Sequence, residues 1–203
     1  MNSVNRLYTE EIGALVIDVD GTQSESLPKK PLVLAGSFNP IHHGHQSLLL
    51  AAMSMTGNKG YYEISIRNVD KPLLPKKELS KRAEQVLKDG KSLILTSAPR
   101  FTEKSSILPG ATFVIGIDTC VRLFDEIYYP DHVAGPASAV DNSLDLIGKN
   151  GCNFIVAGRI NSRGKFQGLR DVSMPQRFTG MFCELPEAQF RSDLSSTEMR
   201  KRF

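Results

Sequence analysis

The sequence predicts an α/β protein built on a doubly wound parallel sheet, and three observations carry that prediction. From residue 31 onward, short apolar runs of strand length alternate with longer segments of helical character. The runs are apolar throughout, as strands covered on both faces are, where a half-solvated strand would alternate. Glycines or polar turn residues stand at most junctions, so each strand hands over to a helix and each helix back to a strand.

Taken in order, residues 1–30 read as an N-terminal extension and linker. They hold one apolar run, Ala14-Leu-Val-Ile, followed by a polar stretch from Gly21 to Lys30 with paired lysines. A single domain is expected over 31–203, a length that can bury its own core. Its first strand is 31–36, leading to a helix near 43–56 that stops at Gly57-Asn58. A second strand covers 62–67, and a helix from about Lys77 to Lys88 ends before Gly90. Strands at 92–96 and 112–116 follow, then a helix near 119–128, a strand at 153–157 and a last one at 181–185.

Composition bounds the function. The 203 residues carry a net charge of +3, with 40% hydrophobic and 23% charged residues. So small a positive excess suits an anionic small molecule and not nucleic acid, which calls for a clustered basic face. Cys120, Cys152 and Cys183 are odd in number and lack metal spacing, which argues against disulfides and a zinc ribbon; each lies in an apolar segment and is expected buried. No stretch approaches the ~18 apolar residues of a membrane helix and no secretory leader opens the sequence, so a cytoplasmic protein without a membrane partner is expected.

Three of the four histidines cluster where the first strand of this domain meets its helix, in Gly36-Ser37-Phe38-Asn39-Pro40-Ile41-His42-His43-Gly44-His45. In open α/β sheets ligands bind beyond the carboxyl ends of the strands, and a helix N-terminus there attracts phosphate. Gly36 would admit a substrate close to the backbone, and Gly44 would remove a Cβ facing a polyphosphate. His42 and His45, three apart on a first turn, project to one side. Zinc is the competing use of such close imidazoles, with His132 as a fourth ligand, but no cysteine or carboxylate stands at ligand spacing. Near the other end, Leu194-Ser195-Ser196-Thr197-Glu198-Met199-Arg200 reads as a helix start with outward hydroxyls and amides, either a plain cap or an anion clamp. Between them, Phe113-Val114-Ile115-Gly116-Ile117-Asp118 places a glycine and a carboxylate at the end of a strand, Asp118 being either a ligand or a helix cap. Lys71 and Arg159 follow two other strands, each a weaker candidate for phosphate contact; Lys71 is equally readable as a solvated loop lysine, while for Arg159 the functional reading is preferred to surface charge.

The first string resembles, over all ten positions, the G-S-F-N-P-x-H-x-G-H signature of the nucleotidylyltransferase superfamily. The terminal segment resembles the I-S-S-T-x-I-R motif of the same superfamily, and residues 113–123 resemble the F-[IV]-I-G-x-D stretch of mononucleotide adenylyltransferases. Within that superfamily the G-S-F-N-P phrase resembles most those of nicotinamide or nicotinate mononucleotide adenylyltransferases and related cytidylyltransferase-like proteins, and the domain also resembles, less closely, the nucleotidylyltransferase half of plant proteins in which it follows a CinA-like domain. In that comparison residues 1–30 correspond to the junction. The resemblance implies a Rossmann-like, HUP-type nucleotidylyltransferase fold and transfer of NMP from ATP or CTP to a small phosphorylated acceptor, with release of pyrophosphate. It implies His42, His45 and Arg200 as catalytic residues. Gly36, Ser37, Phe38, Asn39, Gly44, Gly116, Asp118, Ser195, Ser196 and Thr197 would bind nucleotide. Lys71 and Arg159 would touch substrate, and Mg2+ would be held through the nucleotide phosphates with no protein metal ligand. One departure stands out: the tryptophan that stacks on the pyridine ring in those adenylyltransferases is Glu126 here, with Phe124 or Tyr128 as possible substitutes. The alternative is a nucleotide-binding or regulatory module of the same fold without turnover.

A second string, Asp18-Val19-Asp20-Gly21-Thr22, matches the D-x-D-G-T nucleophile loop of haloacid-dehalogenase-type phosphatases. No downstream acidic pair accompanies it, and a turn opening the linker is expected instead.

Overall fold

A computed structural model describes residues 3–69, 71–129, 138–161 and 164–190. The chain begins with α1 (Ser3–Tyr8), β1 (Ala14–Ile17), β2 (Gln23–Ser24) and β3 (Leu32–Ala35). Then come α2 (His43–Thr56), β4 (Gly60–Ser65), α3 (Lys76–Lys88), β5 (Ser92–Thr96), α4 (Phe101–Ile107), β6 (Thr112–Gly116) and α5 (Ile117–Arg122). The remainder is α6 (Ala139–Lys149), β7 (Asn153–Ala157), β8 (Arg159–Ile160), β9 (Phe166–Gln167) and β10 (Phe182–Leu185).

Eight strands form one sheet in the order β10-β7-β6-β3-β4-β5-β1-β2, and β8 pairs with β9 in a separate ribbon. The six strands from β10 to β5 are parallel. From β3 the chain winds outward through β4 and β5, then returns to the other side of β3 for β6, β7 and β10. This is the doubly wound α/β, Rossmann-like arrangement that the strand–helix alternation predicts, with its switch point between β3 and β6. The segment read as extension and linker contributes to the same sheet: β1 pairs antiparallel with β5, and β2 with β1. Leu7 of α1 is fully buried in the core.

The sheet buries both faces. One packs Leu34, Tyr62, Ile64, Leu93 and Leu95 under α2 and α3 through Leu48, Leu49, Leu79 and Val86. The other packs Val33, Ile94, Phe113, Ile115, Phe154 and Val156 against residues of α5 and α6, among them Cys120, Val140, Leu144 and Ile147. α2 ends on Gly57 at φ +69, where the left-handed backbone lets its N–H reach the Met53 carbonyl at 2.8 Å. Three helices, α1, α4 and α6, fall outside the predicted elements, and the helix expected at 119–128 is α5 followed by a 3-10 turn at Glu126–Tyr128. Cys120 and Cys152 are buried as expected, but Cys183 is exposed. It sits on β10, an edge strand of the sheet, where one side chain of the run points to solvent.

The D-x-D-G-T string turns at the opposite edge of the sheet from the histidine turn. Because β1 runs antiparallel to β5, Asp18 lies beside the amino ends of β4 and β5. Its Oδ1 accepts from Ser92 Oγ at 2.8 Å and Lys59 Nζ at 3.0 Å, and the Ser92 hydrogen bond leads in holding this carboxyl below its ordinary value. Asp20 accepts from the Thr22 amide at 2.9 Å. The Asp20 carboxylate serves the turn between β1 and β2, and that of Asp18 ties it to Ser92 and Lys59.

Candidate functional site

The histidine turn is set in place from both sides. At its strand end, the Gly36 amide donates to the Glu63 carbonyl at 3.0 Å, carrying the β3–β4 pairing one residue past the strand. Arg82 of α3, held by Glu78 one turn earlier, donates to the Ser37 carbonyl at 3.0 Å. At its helix end, His42 is the N-cap of α2 in an extended conformation. The His45 side chain folds back so that its Nδ1 accepts from the His42 amide at 3.3 Å. A helix-start amide that would otherwise lack a partner is thereby satisfied by an imidazole.

That hydrogen bond assigns chemistry to His45. A neutral imidazole that accepts at Nδ1 carries its proton on Nε2, so this ring is a hydrogen-bond donor on its other side. The ring stays neutral because burial pushes its pKa down to about 3, with the neighbouring His42 adding to the shift. His42 is also held low, by burial. The two rings stack at 3.7 Å between centroids, 25° from parallel. His43 faces the other way, exposed and within 3.0 Å of Ser47 Oγ.

The low His45 pKa has a measurable consequence. In the unfolded chain this imidazole takes up a proton near pH 6.5, whereas the folded state resists it until about pH 3. The folded state therefore loses stability as pH falls from about 6.5, at up to about 1.4 kcal/mol per pH unit for one proton. Denaturant unfolding at pH 7 and pH 5 should show about 1–2 kcal/mol more loss for the wild type than for His45→Gln. Equal losses in the two proteins would refute the assignment.

Phe38, expected at the nucleotide, faces the core and does not line the cleft described below. It is only 1 % exposed, at φ +42, with its ring edge-on to His45 at 5.0 Å and to Tyr62 at 4.9 Å. An aromatic wedge beneath the histidine was not legible in a string whose every residue could face a ligand. Gly36 gains a second reason for its identity, since a Cβ there would stand 2.8 Å from the Phe38 ring. Gly36→Ala should overpack this corner and cost about 1–3 kcal/mol of stability, read as a melting temperature several degrees lower. An unchanged melting temperature would mean that the ring yields.

A cleft of about 400 Å3 opens at the switch point and gathers most of the expected residues. It is lined by Gly36, Ser37, His42, Gly44 and His45 from the first turn, and by Gly116, Asp118 and Arg159 from the carboxyl ends of β6 and β7. A Cβ on Gly116 would meet nothing within 4 Å, so the protein's own packing does not demand glycine there. Asp118 is not a helix cap: Gly116 holds that position, and the Asp118 carboxylate pairs with Arg159 Nη1 at 2.7 Å. Asn39 is exposed and does not line the cleft. Lys71 lines a separate cleft, at the carboxyl ends of β4 and β5. Phe124, a candidate for ring stacking, packs against Phe182 at 5.4 Å instead, and Tyr128 lies under the Arg122 guanidinium. Ser195, Ser196, Thr197 and Arg200 lie outside the described residues, as does His132.

Among the lining residues that were not candidates from sequence, two carry chemistry or come from far along the chain. Arg122 stands one helical turn after Asp118, a spacing that places the two on one side of α5. Phe190 lines the cleft from far along the chain, and no local pattern announces it. Among the described residues, no helix is long and apolar enough to cross a membrane.

The profile of the family described as Cytidylyltransferase-like matches residues 33–202. No curated protein matches the sequence. The matched span takes in the histidine turn, all six parallel strands and every residue of the cleft, so the chain belongs to the cytidylyltransferase-like family, within the nucleotidylyltransferase superfamily.

Proposed function

We propose that the protein is a nucleotidylyltransferase that moves a nucleoside monophosphate from ATP or CTP to a small phosphorylated acceptor and releases pyrophosphate. The observation that carries the reading is the convergence of neutral imidazoles, a bare glycine and an Asp–Arg pair on one cleft at the switch point of the sheet. Membership of the family supports nucleotidyl transfer as the reaction class.

In the reaction an acceptor phosphate oxygen attacks the α-phosphorus in line. A new P–O bond forms as the bond to the β-phosphate breaks, and the electron pair leaves with pyrophosphate. His42 donates to the α-phosphate and His45, through Nε2–H, to the neighbouring phosphate oxygens. Neutral donors placed in advance stabilise charge as it spreads over those oxygens without a proton having to move. Gly116 leaves room for the nucleoside, Asp118 accepts from ribose hydroxyls, and Arg159, oriented by Asp118, approaches the phosphates. Ser37 and Gly36 line the approach of the backbone, with Asn39 at the rim.

Ser195, Ser196 and Thr197 are proposed to hold the β- and γ-phosphates, and Arg200 to neutralise the leaving pyrophosphate. Support comes from Phe190, which lines the cleft; Ser195 is five residues further, a reach of at most about 18 Å. Asp118 is the one carboxylate among the described lining residues and is engaged by Arg159, so Mg2+ would be held by the phosphates themselves. When bound, the ion would neutralise charge on the departing pyrophosphate. Nicotinamide or nicotinate mononucleotide is the first acceptor to try.

Pyrophosphate release, measured with ATP and CTP against a panel of phosphorylated acceptors, tests the proposal. Turnover with at least one pair is expected. Nucleotide binding without turnover on any acceptor would identify a regulatory module, and no nucleotide binding at all would remove both readings.

A further inference from the structure

Helix α3 touches the histidine turn twice. Arg82 donates to the Ser37 carbonyl at the strand end. Asp89, about two turns further along the same face of α3, meets the helix end at Gln46. Asp89 is the C-cap of α3. A carboxylate there stands against the negative end of its own helix, an unfavourable place for an acid unless donors from elsewhere hold it. Two do. Gln46 Nε2 donates to Oδ1 at 2.5 Å, and Tyr62 Oη donates to Oδ2 at 3.0 Å.

Both donors lead to His45. Gln46 is its neighbour in the first turn of α2, so the first contact pins the backbone that carries the imidazole. Tyr62, fully buried on β4, lies edge-on to Phe38 at 4.9 Å, and Phe38 lies edge-on to the His45 ring at 5.0 Å. The phenol remains a donor at neutral pH, since burial first and then the adjacent Asp89 raise its pKa above the ordinary tyrosine value. One carboxylate thus holds the backbone of the turn with one oxygen and the aromatic support of the ring with the other. Asp89, Gln46 and Tyr62 all stand apart from the residues that line the cleft.

We propose that Asp89 is a positioning residue for His45, fixing the imidazole from behind through Gln46 on one side and through Tyr62 and Phe38 on the other. Its consequence for turnover rests on the reading of His45 as a donor to phosphate; its effect on the ring does not. The bond from the His42 amide to His45 Nδ1, at 3.3 Å, is already at the long end, so a small rotation of the ring breaks it. Asp89 denies the ring that rotation.

Amide hydrogen exchange and steady-state kinetics on the full chain test this together. Asp89→Asn keeps an acceptor for Tyr62 and sets an amide against the Gln46 amide. The His42 amide should then exchange about two- to ten-fold faster, the range for loss of one net hydrogen bond. Tyr62→Phe, which removes only the hydroxyl, should accelerate the same amide. Asp89→Asn combined with Gln46→Glu reverses donor and acceptor across the contact and should restore protection. A merely structural role would instead speed the strand amides of β6 and β7, which open with the whole fold, and leave the His42 amide as it was. In the transfer assay, Asp89→Asn should lower kcat about ten-fold with little change in KM for the nucleotide, less than loss of the imidazole itself. Absence of turnover in the wild type would count against nucleotidyl transfer alone, because the exchange result decides what holds the ring. An unaltered His42 amide in Asp89→Asn, no recovery in the double variant, or a kcat equal to that of an active wild type would overturn the proposal.

Discussion

Replacement of His45 by alanine should lower turnover about 10²–10³-fold while nucleoside triphosphate binding survives, the penalty usual for removing one preorganised donor to a developing charge. The size follows from where the ring sits. His45 is neutral, half-buried, stacked on His42 and backed by Phe38, so its Nε2–H is set in place before any ligand arrives. Solvent cannot replace such a donor, because water entering the space left by the ring must itself be ordered. The substitution also removes the acceptor for the His42 amide, so some loss of stability accompanies the loss of rate. His45→Asn or His45→Gln separates the two effects by offering a neutral amide in place of the ring. Steady-state kinetics with saturating nucleotide should place the defect in kcat, not in KM for the nucleotide. A variant that turns over within a few-fold of wild type would remove His45 from the reaction.

The second large effect is expected far from any ligand. Lys104 of α4 places Nζ 2.6 and 2.7 Å from the two carboxylate oxygens of Glu63, and Thr96 Oγ1 donates to the same carboxylate at 2.6 Å. Glu63 is fully buried and Lys104 only 5 % exposed. Two charges withdrawn from water in this way roughly balance desolvation against attraction, so the pair as a whole adds little; losing one member leaves the other stranded. Lys104→Met should therefore cost about 3–5 kcal/mol, whereas Glu63→Leu combined with Lys104→Met should recover most of it. Urea unfolding of the three proteins checks this, and a single variant as stable as wild type would contradict it. The consequence reaches the site, since the Glu63 carbonyl receives the Gly36 amide at the start of the histidine turn.

These two cases mark what could and could not be read from residue order. The parallel strands were legible because strands buried on both faces are continuous apolar runs: 92–96, 112–116 and 153–157 coincide with β5, β6 and β7. The histidine turn was legible because its residues are adjacent in the chain. Glu63 sits in the apolar run Gly60–Ser65, where only the three-dimensional meeting with Lys104, 41 residues away, shows why a charge is tolerated. α4 is short and carries two serines, so little in its own residues announces a helix. α6 escaped notice although Val140, Leu144 and Ile147 recur at helical spacing and Ser138 accepts from the Asp141 amide.

Site residues divide in the same way. Gly116, Asp118 and Arg159 follow strands, and the rule that ligands gather beyond carboxyl ends places them in the cleft. Lys71 obeys the same rule yet enters the neighbouring cleft, because the rule selects an edge of the sheet and not a position along it. Phe38 shows the opposite limit. A residue inside a ligand-binding string faces the core, since a sharp turn must bury something to hold its shape. The N-terminal strand β1 was visible only as an apolar run, because pairing with β5 involves residues some eighty positions apart.

The claim on which the account rests is that one triphosphate lies across the switch point in contact with the first turn of α2. A crystal structure with a nucleoside triphosphate analogue that cannot transfer its α-phosphate would test it most directly. The account predicts α-phosphate oxygens within hydrogen-bond distance of His42 and His45 Nε2, with the ribose beside Gly116 and Asp118. A triphosphate bound away from those imidazoles, or held only in the separate cleft that Lys71 lines, would contradict it.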